Sequence, residues 1–291
     1  MSSGRGDDPS SGQGRSVVGN CDGYEVSGKL GRWIDVADGV LVRRYEELDL
    51  SVGLVVGGER CLVIDTGGDA GQGAELAAAV REVTPLPWSV VLTHAHFDHS
   101  FGTEAFLPCP VWAHDRCRAQ LVATGADQRE KWARNYRERG EHEVADRIDA
   151  VRIALPDNLV GDRQVLDLGG RDVALLHFGP AHSDHDVVVH VPDAGVVFAG
   201  DLVEQGAPPQ FGDAYPQGWP AALDGILALD APVVLPGHGE PVDREFVRHQ
   251  RAELATVAEL CRAVAAGELT AEQAVARSPF PEKFTLDALA R

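Results

Sequence analysis

The sequence has few cysteines and no long apolar run. Its five cysteines are dispersed and form no CxxC pair, which argues against a disulfide framework and fits a reducing compartment. No apolar stretch reaches the ~20 residues that a membrane helix requires. Residues 1–20 lack the apolar segment of a secretory signal. We therefore expect a cytoplasmic protein with no membrane partner.

The sequence also lacks any cluster of basic residues. It has 45 Asp and Glu against 26 Lys and Arg, a formal net charge of −19. A nucleic acid would be repelled by this charge, because phosphate contacts need grouped lysines and arginines. The 291 residues are 44% apolar, which is enough to bury a core. A globular protein without a nucleic-acid partner is expected.

The pattern of apolar residues predicts one α/β domain over residues 21–291, after a disordered Ser- and Gly-rich tail over 1–20. Short β-branched runs predict strands, and WSVVLT at 88–93 is apolar enough to be buried on both faces. We expect a layered α/β sandwich with helices outside. The sequence predicts a helical insert at about 114–150, which consists of two helical segments, 115–125 and 127–148. It also predicts further helices at the C-terminus.

Histidine and aspartate follow four of the predicted strands. The stretch VLTHAHFDHS, residues 91–100, places three histidines and one aspartate directly after a strand. GPAHSDHD at 179–186, VFAGD at 197–201 and LPGHGE at 235–240 repeat the arrangement. The carboxyl ends of strands in an α/β sheet meet in one crevice, and imidazole and carboxylate are the ligands that zinc prefers. A metal site is expected there.

These four motifs, in this order, resemble the metallo-β-lactamase superfamily of metallohydrolases. The resemblance covers residues from about 40 to about 250 and implies a four-layer αββα sandwich, the metallo-β-lactamase fold. It also implies two Zn²⁺ ions, although iron or manganese would accept the same ligands. The ligand set is similar to that of glyoxalase II, and differs from secreted β-lactamases, some of which have Cys or Ser near the position of Asp201.

The resemblance implies a role for each ligand. His94, His96 and His182 would bind one metal, Asp98, His99 and His238 the other, and Asp201 would bridge the two. A metal-bridging hydroxide would then cleave a small ester, thioester, lactone or amide, with Asp98 both binding metal and orienting the nucleophile. Asp65, in VIDTG, would be a supporting or structural aspartate. The partner would be a small-molecule substrate; the oligomeric state stays open.

Other residues are weaker candidates. Phe211, Tyr215 and Trp219 lie in the Gly- and Pro-rich segment 204–220, which follows Asp201 and is expected either to face the substrate or to form a covered surface turn. His185 is expected to be exposed or to support the ligands from behind. His114 is expected to be structural or to lie at the edge of the pocket.

Four functions remain open from the sequence. The first is the hydrolase. The second is a mononuclear iron enzyme that resembles persulfide dioxygenases, with His94, His182 and Asp201 as its ligands. A nuclease of the same superfamily is disfavoured by the acidic charge. A non-catalytic metal-binding or scaffold protein is the least economical of the four, because the ligand set is complete.

Overall fold

The computed structural model describes residues 31–291 and Met1. The tail expected over residues 1–20 lies outside the described residues. Among the described residues, twelve strands form two sheets, and helices cover both outer faces. The αββα sandwich expected from the sequence is confirmed.

The first sheet contains seven strands in the order in which they occur along the chain. Its first four strands pair antiparallel, and the fourth to the seventh pair parallel. The strands are β1 (Arg32–Ala37), β2 (Val40–Arg44), β3 (Ser51–Val56), β4 (Cys61–Ile64), β5 (Trp88–Val91), β6 (Val111–His114) and β7 (Asn158–Val160).

The second sheet contains five strands, again in chain order from one edge to the other. All pairs are antiparallel except the last two strands, which are parallel and joined through a helix. The strands are β8 (Arg163–Asp167), β9 (Asp172–Leu176), β10 (Val188–Val191), β11 (Val196–Glu204) and β12 (Val233–His238).

Eight α-helices are present in the described part of the chain. Over residues 31–291, none is both long and apolar enough to cross a membrane. The helices are α1 (Ala70–Val83), α2 (Phe97–Ser100), α3 (Asp115–Glu138), α4 (His142–Asp149), α5 (Trp219–Ala228), α6 (Arg244–Ala265), α7 (Ala271–Val275) and α8 (Glu282–Leu289).

Alternating side chains of the central strands build the layers. In β4, Leu62 and Ile64 face the core between the two sheets, while Cys61 and Val63 face the core beneath α1 and α3. In β11, Phe198 points between the sheets and Val197 points to the core beneath α5 and α6. Successive residues of a strand point to opposite faces, so a strand covered on both sides is apolar throughout.

Helix α3 differs from the sequence expectation. Gly125 does not separate two helices; α3 continues through it and ends only before Gly140. A Cβ on Gly125 would lie 2.6 Å from Cδ1 of Ile153, so the glycine lets the chain pack closely against the helix. Gly140 has a φ of +83°, which glycine adopts readily, and it ends the α3 region.

Candidate metal centre

The seven expected ligands converge where strand ends of both sheets meet. Two lie in the loop after β5 and two on the single turn of α2. The others lie in the connection between β9 and β10, in β11 and at the end of β12. In chain order they are His94, His96, Asp98, His99, His182, Asp201 and His238.

His94, His96 and His182 form a first group. Nδ1 of His96 lies 3.0 Å from Nε2 of His94 and 3.0 Å from Nε2 of His182. His94 and His182 are buried, and His96 is half-buried. Three ring nitrogens that point at one another in this way are arranged as ligands of a single cation.

Asp98, His99 and His238 form a second group. Nε2 of His99 lies 3.3 Å from Nε2 of His238. Oδ2 of Asp98 lies 3.4 Å from Nε2 of His238 and 3.7 Å from Nε2 of His99. Two imidazoles and one carboxylate therefore surround a second point.

Asp201 lies between the two groups. Its Oδ2 is 3.5 Å from Nε2 of His182 and 3.6 Å from Nε2 of His94. The same oxygen is 3.3 Å from Nε2 of His238, and Oδ1 is 3.1 Å from Nε2 of His99. The carboxylate is within reach of ions held by either group.

The surroundings of Asp201 fit a metal ion. Its Oδ1 is buried and has no hydrogen-bond partner among the described residues. A buried carboxylate oxygen without a donor is costly, and a cation would satisfy it. Gly237 leaves room for this oxygen, since a Cβ at that position would lie 1.9 Å from it. The residues present therefore fit the divalent metal that the sequence predicts.

Asp65 supports both groups from behind. Its Oδ1 accepts the backbone N–H of Thr93 at 2.7 Å, and its Oδ2 accepts the Thr93 hydroxyl and Nδ1–H of His99, each at 2.8 Å. Because the Thr93 hydroxyl donates to Asp65, it accepts Nδ1–H of His94 at 2.9 Å. Both histidines are thereby turned with Nε2 toward the site.

Two further contacts orient His96 and His238, and neither was predicted from the sequence. Oδ2 of Asp213 lies 3.0 Å from Nε2 of His96, and the carbonyl oxygen of Leu48 accepts Nδ1–H of His238 at 2.8 Å. Asp213 belongs to the irregular segment after β11, and Leu48 acts through its backbone. No motif in the sequence indicated either contact.

Burial and neighbouring charges set the protonation of the site. Burial lowers the pKa of His182 to about 4 and that of His94 well below its ordinary value. Burial alone would raise the pKa of Asp201, but His99 and His238 beside it hold that pKa well below its usual range. Burial lowers the pKa of His99 and His238 too, but Asp201 and Asp98 outweigh it and raise that pKa well above its ordinary value. Neutral imidazole and ionised carboxylate are the forms that bind metals, so a metal held by the second group would displace a proton from these two rings.

The structure separates the three aromatic candidates. Phe211 and Trp219 are buried in the core beneath α5 and α6, and the Trp219 ring packs 5.5 Å from that of His182. Only Tyr215 is exposed, with 43% of its surface accessible. Burial therefore excludes Phe211 and Trp219 from contact with a substrate and leaves Tyr215 as a candidate.

The two additional histidines are both buried. Nε2 of His185 accepts the backbone N–H of Ala95 at 3.1 Å, so it holds the loop between His94 and His96. His114 ends β6, and its Nδ1 accepts the N–H of Arg116 at the start of α3. Both therefore hold the backbone around the site.

The family model described as "Metallo-beta-lactamase superfamily" matches residues 47–238. An acyl-coenzyme A thioesterase of Gallus gallus is 29% identical over 171 residues, which are 54% of this chain and 58% of that protein. The chain thus spans less than two thirds of this relative's length.

Solved structures share the fold. A metallo-beta-lactamase from Pontibacter korlensis superposes with a TM-score of 0.61 at 21% identity, covering 77% of this chain and 99% of its own. The metallo-beta-lactamase FIM-1 from Pseudomonas aeruginosa, in a mono-zinc form, gives 0.62 at 18% identity, covering 81% and 99%. These likenesses confirm the architecture that the four motifs predicted.

Proposed function

The chain belongs to the metallo-beta-lactamase superfamily, and from this premise we propose that it is a hydrolase with two zinc ions. The observation that carries the proposal is the convergence of seven His and Asp side chains into two adjoining groups. Asp201 lies between the groups, where it would contact both ions. Iron or manganese would accept the same ligands.

A bound pair of metals would supply a water of lowered pKa and a Lewis acid for the substrate carbonyl. The chain itself orients the ligands. Asp65 holds His94 and His99 with Nε2 inward. Asp213 orients His96, and the Leu48 carbonyl orients His238. This preorganisation is what a hydrolytic site needs before the substrate arrives.

We assign the catalytic role to Asp98. It is buried, and its Oδ2 lies 3.4 Å from Nε2 of His238 in the second group. From there its carboxylate would accept a hydrogen bond from the attacking water and orient it toward the carbonyl carbon. No serine or cysteine nucleophile is needed for this chemistry.

A small ester, thioester, lactone or amide is the proposed substrate. The relative named as an acyl-coenzyme A thioesterase makes a thioester the first member of the panel to test. The fold does not select among the four, because one fold hosts many activities.

The test is hydrolysis by the zinc-loaded protein of an acyl-coenzyme A, a nitrophenyl ester, a lactone and a β-lactam. For any substrate turned over, Asp98→Asn is expected to lower kcat/KM by about 100- to 10,000-fold. The control is Glu245→Gln, an exposed carboxylate on α6 that leaves the site untouched. Full activity in Asp98→Asn would refute the assignment.

The mononuclear iron enzyme is less well supported. Its three ligands, His94, His182 and Asp201, do lie together, with Oδ2 of Asp201 within 3.6 Å of both ring nitrogens. Under that hypothesis the second group would have no function, although its side chains, Asp98, His99 and His238, converge equally well. Oxygen uptake with a persulfide substrate by iron-loaded protein would favour it over the hydrolase.

A further inference from the structure

The β2–β3 hairpin loop contains two successive non-glycine residues in the left-handed region. Leu48 has a φ of +54° and Asp49 a φ of +55°. L-residues rarely adopt this conformation, and strained backbone of this kind persists only where the surroundings enforce it. We name residues 47–49 the hairpin turn.

Buried Arg44 enforces the conformation of the hairpin turn. Its guanidinium donates to the carbonyl of Asp49 at 2.7 Å and to Oγ of Ser51 at 2.6 Å, and it forms an ion pair with the Asp49 carboxylate. Only 6% of the Arg44 side chain is exposed. A planar guanidinium that binds several acceptors at once fixes their relative positions.

Hydrogen bonds also connect the hairpin turn to the end of β12 and to α3. The N–H of Gly239 donates to the Asp49 carbonyl at 2.9 Å, and Oγ of Ser51 donates to the Gly239 carbonyl at 3.0 Å. On the other side, the hydroxyl of Tyr136 in α3 donates to the Glu47 carboxylate. The turn thus joins the end of β12 to the helical insert.

These contacts fix the position of the Leu48 carbonyl. The oxygen of Leu48 accepts Nδ1–H of His238 at 2.8 Å. With its proton on Nδ1, the ring directs Nε2 toward Oδ2 of Asp98 and Oδ2 of Asp201, at 3.4 and 3.3 Å. A partner on the remote nitrogen fixes both the tautomer and the ring orientation of a histidine ligand.

We propose that the hairpin turn is a positioning element for His238 that selectively strengthens metal binding by the second group. The proposal rests on the proposed metal-dependent function. In the first group, His94 and His96 are oriented by Thr93 and Asp213, and none of its hydrogen bonds within residues 31–291 reaches the turn, so a change in the turn should leave that group intact.

A matched pair of substitutions at Leu48 tests this proposal. The side chain is 37% exposed, so neither change disrupts the core. Leu48→Gly retains the carbonyl and adopts a positive φ readily, whereas Leu48→Pro fixes φ near −65° and must displace the carbonyl. Zinc affinity is measured on the full chain by competition with a chromophoric chelator.

Leu48→Pro is expected to weaken one of two zinc equivalents by about 10- to 100-fold and to leave the other unchanged. Leu48→Gly is expected to bind both equivalents as the wild type does. Asp213→Asn provides the reverse case, since it should weaken the equivalent held by His96. A folded Leu48→Pro protein with two unaltered affinities, or with both weakened alike, would overturn the proposal.

Hydrogen exchange at the ring of His238 is a second measurement, and it reports on that residue directly. In zinc-loaded protein with ¹⁵N-labelled histidine, Nδ1–H of His238 should exchange slowly in the wild type and rapidly in Leu48→Pro. Arg44→Lys is the alternative variant if the proline protein does not fold, and the same acceleration is expected. Slow exchange in a variant whose turn is altered would overturn the proposal. A wild type that takes up no zinc, iron or manganese would instead refute the proposed hydrolase, and the same exchange measurement on the metal-free protein would then still report on the turn.

Discussion

Asp65 is hydrogen-bonded, directly or through Thr93, to one histidine in each group of candidate metal ligands. It reaches His99 directly and His94 through the hydroxyl of Thr93. Its own backbone is left-handed, with a φ of +62°. Aspartate and asparagine tolerate this conformation better than other non-glycine residues, which explains why a short polar side chain occupies the position.

Asp65→Asn is therefore a conservative test of this support. Asparagine keeps the backbone conformation, but it has only one acceptor oxygen for the three donors that Asp65 now serves. We expect the affinity for both metal equivalents to fall by about 10- to 100-fold, with the fold retained. Zinc competition gives the affinities and circular dichroism checks the fold. Unchanged affinity would show that Asp65 is only structural.

Gly237 gives a second prediction at the same scale. In Gly237→Ala the new methyl group would lie 1.9 Å from Oδ1 of Asp201, so the carboxylate has to move. Because Asp201 serves both groups, we expect loss of most bound zinc. The matched control is Gly212→Ala, where a Cβ meets nothing within 4 Å. Metal content after purification distinguishes the two, and equal content would contradict the close approach.

Among the elements, the strands that carry the candidate ligands and the helical character of 115–138 were predictable, whereas the continuity of α3 through Gly125 was not. Apart from Ser89 and Thr93, WSVVLT is apolar because β5 is covered on both faces, and that pattern is visible in a sequence. The prediction ended a helix at Gly125, but this glycine permits close packing against Ile153. The sequence alone does not distinguish such a glycine from one that ends a helix. Tertiary contacts decide between the two.

The start of α3 gives a prediction on pH. Burial and the adjacent His177 ring lower the pKa of His114 to about 4, below the ~6.5 of an unfolded chain. The folded state therefore favours neutral His114, and the stability it contributes is present above pH ~6.5 and lost as the pH falls toward about 4.

His114→Asn removes this titration but still offers an oxygen to the N–H of Arg116, since asparagine is a good N-cap. Between pH 7 and pH 4, the wild type should lose up to about 3 kcal/mol more free energy of unfolding than the variant. Urea unfolding of both proteins across this range measures the difference. Parallel losses would show that His114 does not titrate in this way.

For the whole molecule, the candidate ligands and the supporting role of Asp65 were accessible from the sequence, whereas the contacts of Asp213 and the Leu48 carbonyl were not. The ligands follow strands, and the sandwich brings strand ends of both sheets to one edge. Asp213 and the Leu48 carbonyl lie in irregular segments, whose paths depend on packing against the rest of the molecule. Phe211 and Trp219 illustrate the same limit: their segment follows Asp201, yet both side chains turn into the core.

The central claim is that the two groups of side chains each hold a metal ion. The most direct measurement is elemental analysis of untagged protein, purified without chelator and supplied with zinc. We expect about two zinc ions per chain, and about one when Asp98 and His238 are both replaced by alanine, because the first group keeps its own ligands. A wild-type chain that binds no zinc, iron or manganese would show that neither group is a metal site.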